Sequence, residues 1–341
     1  MATAEQLIAL IDSVGEGDRA RFYRVALQMA AREARKGNRN VAQELREAID
    51  KARAREKVAS RPKGPVPIAQ PRGDLEGLLT ASFPETSLRQ MVLSESVETS
   101  LQRLLAEHRK AHRLYEHGLS PRRKLLLVGP PGTGKTFTAQ AIAGELKLPL
   151  FKVRLEGLIT RFMGETAAKL RLVFDAMHAQ KGVYLFDEFD SIGADRGTPN
   201  DVGEIRRVLS SFLQFIEADD SESLIVAATN HIEILDSALF RRFDDVIRYE
   251  LPDEAHRAEA FEEFLATFSK RKVDWKKIAA AAEGLSYADI RRACEDAAKD
   301  VILGGEEHVE ERHILNAIEE RRRAKGLWHG RHLEEYLRTQ G

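Results

Sequence analysis

A single cysteine, Cys294, stands in 341 residues, so no internal disulfide can form, and no group of Cys and His has the spacing of a metal site. Net charge is scarce as well. Against 53 Lys and Arg stand 54 Asp and Glu, a balance of −1 that argues against a generic polycation for nucleic acid. No stretch approaches roughly 18 uninterrupted apolar residues, and the N-terminus has no basic segment leading into an apolar run. Neither a membrane span nor a secretion signal is expected, and the expected compartment is cytoplasmic. What remains has 43% apolar residues, enough for packed cores, and a length that suits two or three domains.

Neutrality hides a local excess. Between Arg32 and Lys63 there are 11 Lys or Arg and 5 Asp or Glu. The same region reads as helical: Leu7, Ile8, Leu10 and Ile11 follow a capping box of Thr3 with Gln6. Phe22, Val25, Ala26, Met29 and Ala30 share a second face, ended by Gly37. Val41, Leu45, Ala48, Ile49 and Ala52 make a third behind Asn40. A stretch rich in Pro and Gly then reads as linker. Helical periodicity resumes over Ser94–His117. Beyond it, strand candidates Lys124–Val128, Leu150–Val153, Gly182–Phe186, Leu224–Ala228 and Val246–Glu250 alternate with helical runs, the pattern of a parallel sheet with helices on both faces. The expected layout is a helical N-domain over 1–56, a flexible linker over 57–87, an α/β domain with a parallel five-stranded sheet over 88–253, a helical domain over 254–325 and a tail over 326–341.

The motif with the most chemistry is Gly129-Pro130-Pro131-Gly132-Thr133-Gly134-Lys135-Thr136, which fits G-x-x-x-x-G-K-[ST] between a predicted strand and a predicted helix. Small residues let the backbone turn tightly enough for its N–H groups to converge on phosphate oxygens, and the helix adds its positive end. Lys135 would reach the β- and γ-phosphates, and Thr136 would hold Mg²⁺. Some 50 residues on, Val183-Tyr184-Leu185-Phe186 runs into Asp187-Glu188. In open α/β sheets ligands bind at the carboxyl ends of the strands. There Asp187 would orient the magnesium shell and Glu188 would polarise an attacking water. Another apolar strand ends in Thr229-Asn230, which offers an amide to the same place. Arg241-Arg242 follow, either a solvated pair or guanidinium groups that stabilise phosphoryl-transfer charge.

This ordered set resembles the AAA clade of AAA+ ATPases: the phosphate loop, Asp187-Glu188, Asn230 at the first sensor position, Arg241 and Arg242 in the second region of homology, and Gly284-Leu285-Ser286-Tyr287-Ala288-Asp289-Ile290 in a C-terminal helical lid. The resemblance covers residues 88–325. It implies a P-loop NTPase fold, ATP and Mg²⁺ as cofactors, and a homo-oligomer, usually a hexamer, in which Arg241 and Arg242 act on the neighbour's nucleotide. The two arginines are adjacent here, whereas many relatives separate them, and Arg242 is the first choice for the finger. Ala288 occupies the position where other clades carry a sensor arginine. Pro131, Gly132, Thr133, Gly134, Lys135, Thr136 and Asp187 are the expected nucleotide contacts, with His117-Gly118-Leu119 resembling the segment that touches adenine. Ser286 and Asp289 form a capping box, and Ile290, Ala293, Cys294, Ala297, Ala298 and Val301 line one face of the helix that follows.

Phe162, Met163 and Gly164, between the second strand and a helix expected from about Thr166, resemble the central-pore loop of AAA unfoldases. Gly193–Asn200 resembles a second pore loop. The expected partner is a protein substrate, gripped by Phe162 and Met163, with an adaptor or a separate protease as further candidates. A second class of function, a switch acting on a nucleic-acid complex through the basic arm, is less favoured because the arm has no aromatic interleaving.

Overall fold

The computed structural model of the chain describes residues 25–31, 34, 38, 41–43, 46–49, 71, 73–158, 163–189, 210–231, 240–268 and 273–328. Five strands form where apolar runs predicted them: β2 (Lys124–Val128), β3 (Leu150–Val153), β4 (Val183–Phe186), β5 (Leu224–Thr229) and β6 (Asp245–Arg248). All pair in parallel. A sixth strand, β1 (Leu79–Ser82), lies in the stretch read as linker, and the sheet order is β1-β3-β4-β5-β2-β6. The expectation of five parallel strands is corrected by this antiparallel edge, which sets Leu79 opposite Val153 and Ser82 opposite Leu150. Four residues with only Leu79 buried carry no periodic signal, so pairing with β3, together with the burial of Leu78 and Leu79, selects the strand.

Alternation along the strands divides the α/β core in two. Leu126 and Val128, Tyr184 and Phe186, and Ile225 and Ala227 face one layer; Leu125 and Leu127, Val183 and Leu185, and Leu224, Val226 and Ala228 face the other. Helix α1 (Glu95–Arg109) buries Val97, Leu101 and Leu104 in the second layer. The run expected to continue to His117 breaks at Lys110, after which comes α2 (Ala111–Glu116). Helix α3 (Lys135–Leu146) joins the second layer through Ala139, Ile142 and Ala143. After the single turn α4 (Leu155–Leu158), helix α5 (Met163–Ala179) covers the first layer with Leu170, Val173, Phe174 and Met177, a 3-4 spacing.

The C-terminal helices α6 (Glu254–Leu265), α7 (Trp275–Ala281), α8 (Tyr287–Leu303) and α9 (Glu311–Trp328) enclose a core of their own. The predicted face of α8, Ile290 through Val301 with Cys294 among it, is buried there. Burial pushes the Cys294 thiol well up, so it stays protonated and inert. Arg257 of α6 is buried too, and donates to the carbonyls of Ala279 and Pro252 at 2.7 Å each, fastening α6 to α7 and to the strand-to-lid connection.

Near the N-terminus, residues 25–31, 41–43 and 46–49 are helical where described. Val25 and Ala30 are buried as the pattern required, whereas the third face centres on Ala42 and Ile49, with Val41 and Ala48 exposed. The first predicted helix lies outside the described residues. Among the described residues no helix is long and apolar enough to cross a membrane.

Candidate active site

Strands β4, β5 and β2 are neighbours, and each ends in one part of the site. The β2–α3 connection is the phosphate loop. At Gly132, φ is 76° and a Cβ would lie 2.5 Å from Ser286 Oγ of the lid, so both conformation and space exclude a side chain. Gly129 is as constrained, with a would-be Cβ 2.2 Å from the Tyr249 carbonyl. Helix α3 starts at Lys135 behind Gly134, with no side-chain cap and no acid in its first turn, which leaves its positive end for an anion.

Lys135 is buried. Its Nζ donates to Gly129 O at 2.7 Å, to Pro130 O at 2.8 Å and to Asn230 Oδ1 at 2.8 Å, so the tip of β5 is tied directly to the loop. Thr136 Oγ1 stands 3.1 Å from each carboxylate oxygen of Asp187 at the tip of β4. Asp187 also accepts from Lys152 Nζ at 2.8 Å.

Two phenylalanines explain why the acid pair is presented at the edge. Phe186 and Phe189 are both fully buried, and both pack on Phe212, with centroids 4.9 and 4.5 Å away. With both rings anchored, the chain turns within the two acids between them. Glu188 takes φ 53°, a left-handed conformation that costs a β-carbon residue about 1–3 kcal/mol. The burial of Phe189 is the structural element that sequence reading missed, though Phe-Asp-Glu-Phe carried the signal.

These tips border a cavity of about 370 Å³, within the ordinary range for small-molecule sites. Residues 131–137, Asp187, Glu188, Ala228 and Asn230 form its floor; Gln90, Met91 and Val92 form a wall; Phe264, Tyr287, Ala288 and Arg291 close it from the lid. Ala288 N donates to Gly132 O at 3.1 Å, which docks α8 on the phosphate loop. The expected capping box is present, Ser286 N donating to Asp289 and Asp289 N to Ser286 Oγ. Burial pushes the Asp289 carboxyl up, but hydrogen bonds from Ser286 and Lys325 outweigh it and hold it below the usual carboxylate range. Burial, with the Asp253 and Glu259 carboxylates nearby, leaves the Tyr287 phenol pushed up to about 12.

The structure thus brings together Pro131, Gly132, Thr133, Gly134, Lys135, Thr136, Asp187, Glu188 and Asn230. It does not bring Gly118 or Leu119, read as an adenine contact: Gly118 sits in the turn after α2, Leu119 is 58% exposed, and neither borders the cavity. The wall of the cavity on that side is formed by Gln90–Val92, because Val92 is drawn into the lid core. Arg241 is exposed and Arg242 pairs with Glu217 at 2.9 Å; both stand apart from the cavity of their own chain. Met163 and Gly164 are the first residues of α5, which starts three residues before the expected Thr166, so Gly164 is not a loop residue. Phe162 and Gly193–Asn200 lie outside the described residues.

A phosphate loop facing a strand-tip Asp-Glu pair under a helical lid defines a phosphate-loop nucleoside triphosphatase. The family described as ATPase family associated with various cellular activities (AAA) matches residues 125–251. An AAA family ATPase of Sinorhizobium fredii, y4kL, is 35% identical over 334 residues, which cover 95% of this chain and 97% of that one. A proteasome-activating nucleotidase of Saccharolobus islandicus is 37% identical over 214 residues, covering 60% of this chain and 54% of that protein, so the chain spans about half the length of that relative. The crystal structure of the FIGL-1 AAA domain superposes with a TM-score of 0.57 at 22% identity, over 74% of this chain and 91% of that one, a likeness of fold. The chain belongs to the AAA family of ATPases, and its reaction is the hydrolysis of ATP.

Proposed function

We propose that the chain works as a ring of identical subunits, a hexamer, that uses ATP to remodel a protein substrate by drawing it through a central pore. The observation that carries this reading is the position of Arg241 and Arg242, apart from their own cavity and close to the strand edge at β6. A cation needed for phosphoryl transfer then comes from the neighbouring subunit.

In this reading the triphosphate enters between the phosphate loop and Asp187. Lys135 exchanges the carbonyls of Gly129 and Pro130 for phosphate oxygens, and the first turn of α3 receives the remaining charge. Thr136 and Asp187 offer hard oxygen ligands side by side, which fits Mg²⁺; when bound, the ion supplies charge neutralisation across the phosphates. Glu188 takes a proton from the attacking water, and Asn230, held by Lys135, orients that water. Departure of phosphate alters the loop on which Ala288 is docked, so the lid moves with it and carries the force to the segment at Phe162 and Met163, which grips the polypeptide. The name of the proteasome-activating relative supports a protein substrate and, as a further partner, a separate protease. The helical N-domain is assigned to recruiting a substrate or adaptor. A cytoplasmic setting is proposed on the strength of the single, buried cysteine.

Two variants test the ring. The double variant Arg241→Ala with Arg242→Ala should bind ATP and lose hydrolysis, and so should Glu188→Gln. Mixing the two should restore part of the turnover, because some interfaces then combine an intact Glu188 with an intact arginine pair. No restoration in co-assembled rings contradicts action in trans. For the pore, Phe162→Ala should keep ATPase activity while unfolding of a tagged fluorescent protein is lost; retained unfolding contradicts threading.

A further inference from the structure

Asp187 has more partners than the proposed reaction gives it. Thr136 donates to both of its oxygens, the Glu188 N–H donates to Oδ1 at 3.2 Å, and Lys152 Nζ stands 2.8 Å from Oδ2. The first three belong to the phosphate loop and the acid pair. Lys152 comes from a different strand. It sits on β3 opposite Leu185 of β4, and Asp187 follows directly on the last residue of β4, two residues beyond Leu185, where the Lys152 side chain reaches it. A step of two residues is about 6–7 Å along a strand, a distance that the four-carbon stem of a lysine spans. The neighbours of Lys152 on β3 are buried, whereas its own side chain is 52% exposed, so no packing against the core requires a lysine here. Its visible role is to place an ammonium on the carboxylate that the proposed reaction reserves for magnesium.

We infer that Lys152 is a positioning residue that competes with the divalent cation for Asp187. The inference rests on the reading of Asp187 as the metal-side carboxylate. Without metal, the ammonium and Thr136 hold both oxygens of Asp187 in place. When nucleotide and metal are bound, the ion would take the place beside Asp187, and the Lys152 side chain rotates into solvent, to which it is already half open. The carboxylate keeps a cation beside it throughout: the singly charged ammonium leaves as the doubly charged ion would take its place, its extra charge meeting the phosphates. Its consequence is a raised magnesium requirement, so that nucleotide alone does not complete the site. Because the pair is partly solvated, its effect is moderate, about two- to fivefold on the competing equilibrium, and salt weakens it.

The full chain tests this through binding of a fluorescent, non-hydrolysable ATP analogue, with the magnesium concentration at half-saturation as the readout. Lys152→Met should lower that concentration about two- to fivefold, and the difference from wild type should shrink between about 0.1 M and about 1 M salt. Lys152→Arg, which keeps the charge, should stay near wild type. A half-saturating concentration in Lys152→Met that is unchanged or higher overturns the proposal; a higher one would assign Lys152 to the phosphates instead. Asp187→Asn separates the two failures. If it shifts the magnesium dependence while Lys152→Met does not, only the competition is wrong; if Asp187→Asn leaves it unchanged, the metal-side reading of Asp187 falls and takes the competition with it.

Discussion

The two ends of strand β2 both carry clustered charge, and they use it in opposite ways. At the Lys124 end, Arg122 binds Glu107 and Asp245, Arg123 binds the fully buried carboxylate of Asp219 and the Ser221 carbonyl, and Lys124 donates to Ile216 O. Asp244 accepts from the N–H groups of Arg123 and Lys124 at 2.8 and 2.9 Å. These partners come from α1, β6 and the segment before β5, and they leave little for a ligand to replace. At the Val128 end, Lys135 is satisfied by two loop carbonyls and an amide, Asp187 by a hydroxyl and a half-exposed lysine, and all of them border a cavity. Backbone strain sits at this end as well, at Glu188, while the positive φ angles of the loop fall on glycines, which adopt them freely. One end holds the fold closed; the other holds partners that can be exchanged.

Substitution at each end should therefore separate activity from stability. The largest effect is expected for Lys135→Ala: ATP turnover should fall about a hundredfold or more, while urea denaturation shifts less than it does in any variant of the opposite end. Arg123→Ala should do the reverse, losing about 3 kcal/mol of stability because the buried Asp219 keeps only His178, 3.7 Å away, beside its carboxylate, with ATP affinity of the folded fraction unchanged. If Arg123→Ala lowered ATP affinity in folded protein, the division between the ends would be wrong. Ser286→Ala should have a smaller effect, about 1 kcal/mol, from the lost cap of α8, visible as a lower melting temperature and weaker nucleotide binding together, since that helix end is docked on Gly132.

The smallest expected effect is in the pH dependence. Burial raises the Glu107 carboxyl, but hydrogen bonds and charge from Arg122 outweigh it, and the net shift is below the ordinary value of 4.5. A depressed folded value means stability that is present above 4.5 and lost as the pH falls through the folded value. Denaturation measured between neutral and strongly acid pH should therefore show a shallower acid limb for Glu107→Gln than for wild type. An unchanged limb would remove Glu107 from the closed end of the strand.

The chemical end was the more legible of the two in the sequence. Gly129 to Thr136 and Asp187-Glu188 declare themselves because phosphate binding needs those residue types at fixed spacing, and Ser286 with Asp289 because a helix start needs a cap. Apolar runs located five strands within a residue or two. Elements decided by distant partners were not legible: β1 exists through pairing with β3, and Gln90–Val92 reach the cavity through burial of Val92 in the lid. Gly118 and Leu119 resembled a contact by position along the chain, and the fold turns them away. Arg123 with Asp219, 96 residues apart, gives no local pattern at all. Sequence thus marks chemistry that is local and misses pairings that are not.

The central claim, that the carboxyl edge of this sheet hydrolyses ATP with Glu188 as the base, is tested most directly by a single-turnover experiment on Glu188→Gln with radiolabelled ATP and magnesium. The predicted result is ATP retained intact on the protein at near wild-type affinity, with cleavage slowed about a hundredfold or more. Cleavage at close to the wild-type rate would contradict the account.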